Sequence, residues 1–205
     1  MDALIEQWLA RPGRLARNRP SWRSVAVAML GYSLVLAAWS APGPASDDAP
    51  QPEYGIKAAF LYKFLSYVDW RQGTFRDAAA PIVIGVIGAN DVADSLRSLT
   101  AGRAVGDRPV DVRQLRPGDA LNDVHLLFVG RAESSRVAAL AAAAQQRGTL
   151  LVTDYEGALD DGSMINMLIR QNRVRFEVSL DATEKGGLKL SSRLLGLALS
   201  VRQSH

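Results

Sequence analysis

The chain has 205 residues, 48% apolar and 22% charged, the composition of one ordinary globular domain with room for a short terminal addition. It contains no cysteine, which excludes disulfides, thiolate nucleophiles, cysteine-ligated zinc and iron–sulfur clusters. The histidines are His125 and His205 alone, so the commonest catalytic base and metal ligand is nearly absent. The net charge of +3 sits in the first 45 residues, where five arginines face Asp2 and Glu6. The rest is neutral and has no basic excess to attract phosphate, which argues against nucleic acid as a partner.

Residues 1–45 read as an export leader. Arginines precede the apolar run Val25–Ala38, and small residues and prolines follow it, the order of a secretory signal. The run of fourteen residues is short for a bilayer span, which needs about 20. Ala38-Trp39-Ser40 and Gly43-Pro44-Ala45 both offer small residues at cleavage spacing. A retained inner-membrane anchor through residues 25–38 is the alternative, and the missing cysteine excludes a lipoprotein. Residues 46–52 are a linker, and a folded domain is expected over 53–202.

In chain order, the periodicity predicts a helix from Glu53 to Trp70. Phe60, Leu61, Phe64, Leu65 and Val68 make its apolar face, and Tyr62, Lys63, Ser66 and Asp69 fall on the other. Its lysines and aspartate argue against a membrane span. Pro81–Gly88 suits a strand buried on both faces, and Asn90 caps a short helix, Asp91–Leu99. Arg108–Leu115 alternates as a partly exposed strand. Val124–Gly130 is a second buried strand, Glu133–Gln146 a helix that Gly148 terminates, and Thr149–Asp154 a third buried strand. Met164–Arg170 and Arg173–Leu180 form a hairpin through Gln171-Asn172, with Asn172 taking a positive φ. Ser191 or Ser192 caps a last helix whose apolar face is Leu190, Leu194, Leu195, Leu197, Ala198 and Val201. The fold class is α/β: a three-layer sandwich, a mostly parallel central sheet with a C-terminal antiparallel hairpin and helices on both faces.

Ligands of such sheets bind beyond the carboxyl ends of the strands, here Gly88-Ala89-Asn90, Gly130-Arg131 and Asp154-Tyr155-Glu156. GVIGAND lacks the spacing of a dinucleotide loop and reads as a strand-to-helix turn. Asp154 and Glu156 could pair as acid and base or hold a cation, against a plainer reading as loop carboxylates. His125 opens an apolar strand and reads as structural. The serine pairs at 134–135 and 191–192 have no histidine neighbour and read as helix caps. Arg173, Arg175 and Glu177 share a strand face, where two guanidiniums form a fork for a carboxylate or phosphate, against the plainer reading of a solvated face. No catalytic constellation emerges; no cofactor or metal is expected, and the protein reads as a non-enzyme.

Two stretches carry a family resemblance: EYGIKAAFLYKFLSYVDW near the start of the domain and NRVRFEVSLDATEKGGLKLSSRLLGLA near its end, with IVIGVIG and LLVTDYEG between them. In this order, over nearly all of Glu53–Val201, they resemble the YfiR family of periplasmic regulators. The resemblance implies an α/β sandwich that binds and inhibits an inner-membrane diguanylate cyclase, lowering cyclic di-GMP and biofilm formation. It also implies release through an outer-membrane lipoprotein, with no chemistry of its own. The disulfides of the best-known members have no counterpart here, so redox control through them cannot operate. Family members also stand beside histidine kinases and outer-membrane receptors, and a small-ligand sensor module is the alternative function. An exported hydrolase is a third and weaker reading. Partner contact is expected from Tyr62, Lys63, Tyr67 and Trp70, or from Arg175, Glu177 and Arg193. A homodimer is left open.

Overall fold

The computed structural model describes residues 53–203. The leader, its cleavage points and its alternative reading as an anchor lie outside them, as does His205. Among the described residues no helix is long and apolar enough to cross a membrane.

The domain opens with α1 (Glu53–Phe64), a 3-10 turn (Leu65–Tyr67) and the short β1 (Val68–Asp69). Next come β2 (Ile82–Ile87), α2 (Asn90–Thr100), β3 (Ala104–Val105), β4 (Arg108–Gln114) and β5 (Leu126–Val129). A 3-10 segment (Arg131–Arg136) leads into α3 (Val137–Arg147) and β6 (Leu150–Thr153). The chain ends through β7 (Ile165–Arg170), β8 (Arg173–Ser179), α4 (Leu180–Lys185), β9 (Lys189–Leu190), α5 (Ser192–Leu195) and β10 (Ser200–Arg202).

Eight strands form one sheet in the order β10-β8-β7-β6-β5-β2-β4-β3. The pairs from β7 through β6, β5 and β2 to β4 are parallel, and β10 is parallel to β8. Only β7–β8 and β3–β4 are antiparallel. β2, β5 and β6 are buried at every position, as strands covered on both faces must be. This is the α/β sandwich with a mostly parallel sheet that the alternating sequence predicts.

α1 lies on one face because its aromatic stripe meets β8. The Phe64 and Phe176 rings stand 5.2 Å apart edge to face, and Phe60 lies 5.8 Å from Phe176. Such pairs add roughly 0.5–1.5 kcal/mol to the burial itself. All five residues of the expected stripe are buried.

The helix nevertheless stops at Phe64 instead of continuing to Trp70. Val68 and Asp69 pair antiparallel with Leu190 and Lys189, and Tyr67 O accepts from the Ser191 N–H. A tertiary ladder thus overrides the helical periodicity of the last turn and a half. Asn90 is the first residue of α2, not its cap. Ala89 occupies the cap position with no side-chain bond, and Asn90 Oδ1 accepts instead from Gln114 Nε2. The helix expected from Glu133 begins as 3-10 turns and becomes α only at Val137. Gly148 does terminate it, in the left-handed conformation at φ 68°. The hairpin turns on Gln171 and Asn172, both at positive φ. The last helix is a single turn capped by Ser191, whose Oγ accepts from Leu194 N. Val201, expected on its apolar face, lies instead in edge strand β10, where it pairs with Val178 and is exposed.

Candidate functional site

The polar edge of the sheet, beyond the carboxyl ends of β2, β5 and β6, is closed by ion pairs. Lys57 points from α1 into this edge. Its Nζ lies 2.5 Å from Asp154 Oδ2, with both side chains nearly sealed from solvent at 5% and 7% exposure. It also pairs with Glu53 one turn earlier on α1. Arg131 completes the set: its backbone N–H donates to Asp154 Oδ1 at 2.7 Å, and its guanidinium lies 3.1 Å from Glu53 Oε1. The Lys57 ammonium, the largest influence, and then the Arg131 guanidinium outweigh partial burial and hold the Glu53 carboxyl below its usual range.

The residue after Asp154 is fixed from the other side. Tyr155 N–H donates to Asn166 Oδ1 at 3.2 Å, and Asn166 Nδ2 donates to Tyr155 O at 2.8 Å. Asn166 is fully buried in β7, and its Nδ2 also reaches Glu177 Oε1 at 3.0 Å. Thr153 Oγ1 lies 2.8 Å from Ser163 Oγ. Burial, and then its bond to Asp161, push the Tyr155 hydroxyl well above its ordinary pKa. The turn TDYEG is therefore clamped between α1 and the β7–β8 hairpin.

Every buried side-chain polar atom among the described residues has a partner. Asp154 and Glu156 do not form an acid–base pair. Asp154 belongs to the buried cluster, whereas Glu156 is exposed and bonds Arg170 at 2.7 Å. The strand-to-helix turn at Gly88 packs directly on Gly130, where a Cβ would stand 2.5 Å from Gly88 O. The edge is thus a set of interlocked loops. Among the described residues no cluster of histidines and carboxylates could hold a metal.

The opposite end of the sheet carries an aromatic cluster. His125 is buried, and its Nδ1 accepts the Val83 N–H at 3.0 Å. Phe75 stacks on the His125 ring with centroids 4.6 Å apart, Trp70 meets it edge-on at 5.9 Å, and Arg108 lies 4.0 Å over Phe75. Burial holds the His125 imidazole below its usual pKa, against the raising effect of a hydrogen bond to the Thr74 backbone.

The expected contact residues fall in four places. Tyr62 and Lys63 are half-buried on α1. The Tyr62 hydroxyl donates to Ala104 O at 3.0 Å, and burial followed by repulsion from Arg103 lowers the Lys63 pKa. Tyr67 and Arg193 flank the β1–β9 ladder, which joins the two sequence blocks that carried the resemblance. Trp70 is half-buried in the aromatic cluster. On β8, Arg173 is exposed and Arg175 half-buried, while Glu177 is drawn into the Asn166 network.

Sequence reasoning places Arg131 and Asp154 at this edge but misses Lys57 and Asn166. Lys57 stands three and four residues before Phe60 and Leu61, on the buried stripe, and Asn166 interrupts an apolar strand. Those placements were the signal.

The fold and this edge define a class: an α/β domain whose polar residues are spent on holding loops. A family model described as YfiR/HmsC-like matches residues 54–199, and the chain belongs to that family. Its members are periplasmic regulators in cyclic di-GMP signalling and not enzymes. No curated protein matches the chain. A solved structure of a conserved domain protein from Vibrio cholerae O1 biovar El Tor str. N16961 is similar at 12% identity, with a TM-score of 0.49. The similarity covers 73% of this chain and 60% of that one, so the chain spans less than two thirds of that protein's length.

Proposed function

We propose that the chain is exported through residues 1–45 and that its domain, 53–202, binds and inhibits the periplasmic region of an inner-membrane diguanylate cyclase. Lower cyclic di-GMP and less biofilm follow. The observation that carries this reading is the family match over residues 54–199. The neutral body and the commitment of Lys57, Asp154 and Asn166 to fixing loops are consistent with a binding role. Tyr62, Lys63, Tyr67 and Trp70, or Arg175, Glu177 and Arg193, supply the contact, and an outer-membrane lipoprotein takes the protein away from the cyclase.

Crosslinking capture tests it. The exported protein, tagged at its C-terminus, is crosslinked in its own cell from outside the inner membrane and its adducts are identified. A membrane diguanylate cyclase on the tag supports the proposal. A histidine kinase or receptor keeps the binding role and removes the cyclic di-GMP output. A ligand-induced rise in melting temperature without any protein adduct replaces it by a small-ligand sensor.

A further inference from the structure

Residues 70–81, between β1 and β2, form neither helix nor strand. They lie as a strap over the end of the sheet that carries the aromatic cluster, and side chains from several elements pin them there. Arg71 packs over Gly148 and Gly187, where an added Cβ would stand 3.1 and 2.8 Å from its Cδ. Arg76 Nη2 lies 2.6 Å from Asp123 Oδ2. Arg108 Nη1 donates to Asp77 O at 2.7 Å and to Ala80 O at 2.9 Å. Arginines and aspartates keep their charge near neutral pH, so none of these pins responds to mild acid.

The central pin does respond. Phe75 of the strap stacks on the buried His125 ring with the two planes 13° apart. Because Nδ1 accepts the Val83 N–H, the ring proton sits on Nε2, and the ring also hydrogen-bonds the Thr74 backbone. The imidazole therefore joins two bodies: β2 through its unprotonated nitrogen, and the strap through its face and Thr74. Only the neutral ring can do this. A proton on Nδ1 sets two donors against each other in a site nearly sealed from water, and leaves the Val83 N–H without its acceptor. The Thr74 bond survives and strengthens with the charge, so the ring leaves β2 together with the strap.

We propose that residues 70–81 are an acid-released strap, latched while His125 Nδ1 holds the Val83 N–H and let go when that nitrogen takes up a proton. Release bares the Phe75 and Trp70 rings and leaves the ladder of β2, β5 and β6 in place. In the periplasm, which takes its pH from the medium, such a strap reports external acid. The charged groups facing the ring tune the response. Asp123 draws the proton on, while Arg108 and Arg113 of β4 join burial in opposing it. Arg76 of the strap occupies Asp123 in an ion pair. The strap is closed above the ordinary histidine value of 6.5 and opens as pH falls below it toward the lower folded value. The inference stands apart from the identity of any membrane partner.

Amide hydrogen exchange of the full exported chain, read by mass spectrometry, tests it. Wild type is compared with His125→Asn, whose Oδ1 accepts the Val83 N–H and takes up no proton. Comparison at equal pH cancels the intrinsic pH dependence of exchange. From about pH 7.5 to about pH 5.5, exchange across residues 71–81 should rise severalfold more in wild type than in His125→Asn. The ceiling is about tenfold, set by one pH unit below 6.5. Exchange in β5 and β6 should not follow it. Phe75→Leu weakens the latch without touching a titratable group, and should move the opening to higher pH. A strap indifferent to pH, equal acceleration in His125→Asn, or loss of protection in the strap, β5 and β6 together would each overturn the proposal. So would a Phe75→Leu variant that opens at the same pH as wild type.

Discussion

Replacing Lys57 by Met keeps the length and apolar stem of the side chain on α1 and removes the ammonium. Asp154 then stays buried with its principal counter-charge gone. Breaking a buried pair by removing one member costs about 3–5 kcal/mol, because the remaining charge has lost its partner but not its desolvation. Here Asp154 keeps the Arg131 N–H at 2.7 Å and the guanidinium at 3.6 Å. Those contacts place the cost at the lower end, about 3 kcal/mol. For a domain of this size that lowers the melting temperature by roughly 6–12 °C. Urea titration should show the same loss as a lower midpoint at unchanged slope. Adding Asp154→Leu removes the orphaned charge, and the double variant should recover most of the loss, a coupling the double-mutant cycle reads directly. A single variant that loses less than about 1 kcal/mol, or a double variant no more stable than the single, would refute this account of the polar edge.

Asn166→Ala should cost about 2–3 kcal/mol, since it strands the Tyr155 N–H and C=O and the Glu177 carboxylate; denaturant midpoints check it. Gly130→Ala should cost about 1–3 kcal/mol by forcing a Cβ against the Gly88 carbonyl, with a lower melting temperature as the readout. The His125 pKa is depressed in the folded state, so the unfolded chain takes up the proton first. Stability is fully present above the ordinary value of 6.5 and declines as pH falls below it toward the folded value. His125→Asn, whose Oδ1 can accept the Val83 N–H in place of Nδ1, should flatten that part of the stability–pH profile measured by urea titration.

Much of the fold was legible because its signals are local. The three short continuous apolar runs suit strands covered on both faces, and they are β2, β5 and β6. The two-residue link at Gln171-Asn172 demands a hairpin, and both residues take the positive φ that it requires. The absent cysteine and the balanced charge of the body limit the chemistry by composition alone.

What escaped the sequence depends on residues far apart in it. Lys57 and Asp154 are 97 positions apart, and no periodicity reports that a lysine on a buried stripe will meet a carboxylate at a strand end. The same holds where α1 gives way at Leu65. The helical pattern runs on, but pairing of Val68 with Leu190 outweighs one more turn. Val201 kept a helical spacing and still became a strand, because β8 offered an edge for it to pair with. Composition, period and turn chemistry act within a few residues and determine the elements. Ion pairs, edge pairing and the meeting of loops depend on which elements become neighbours, and tertiary structure alone decided those.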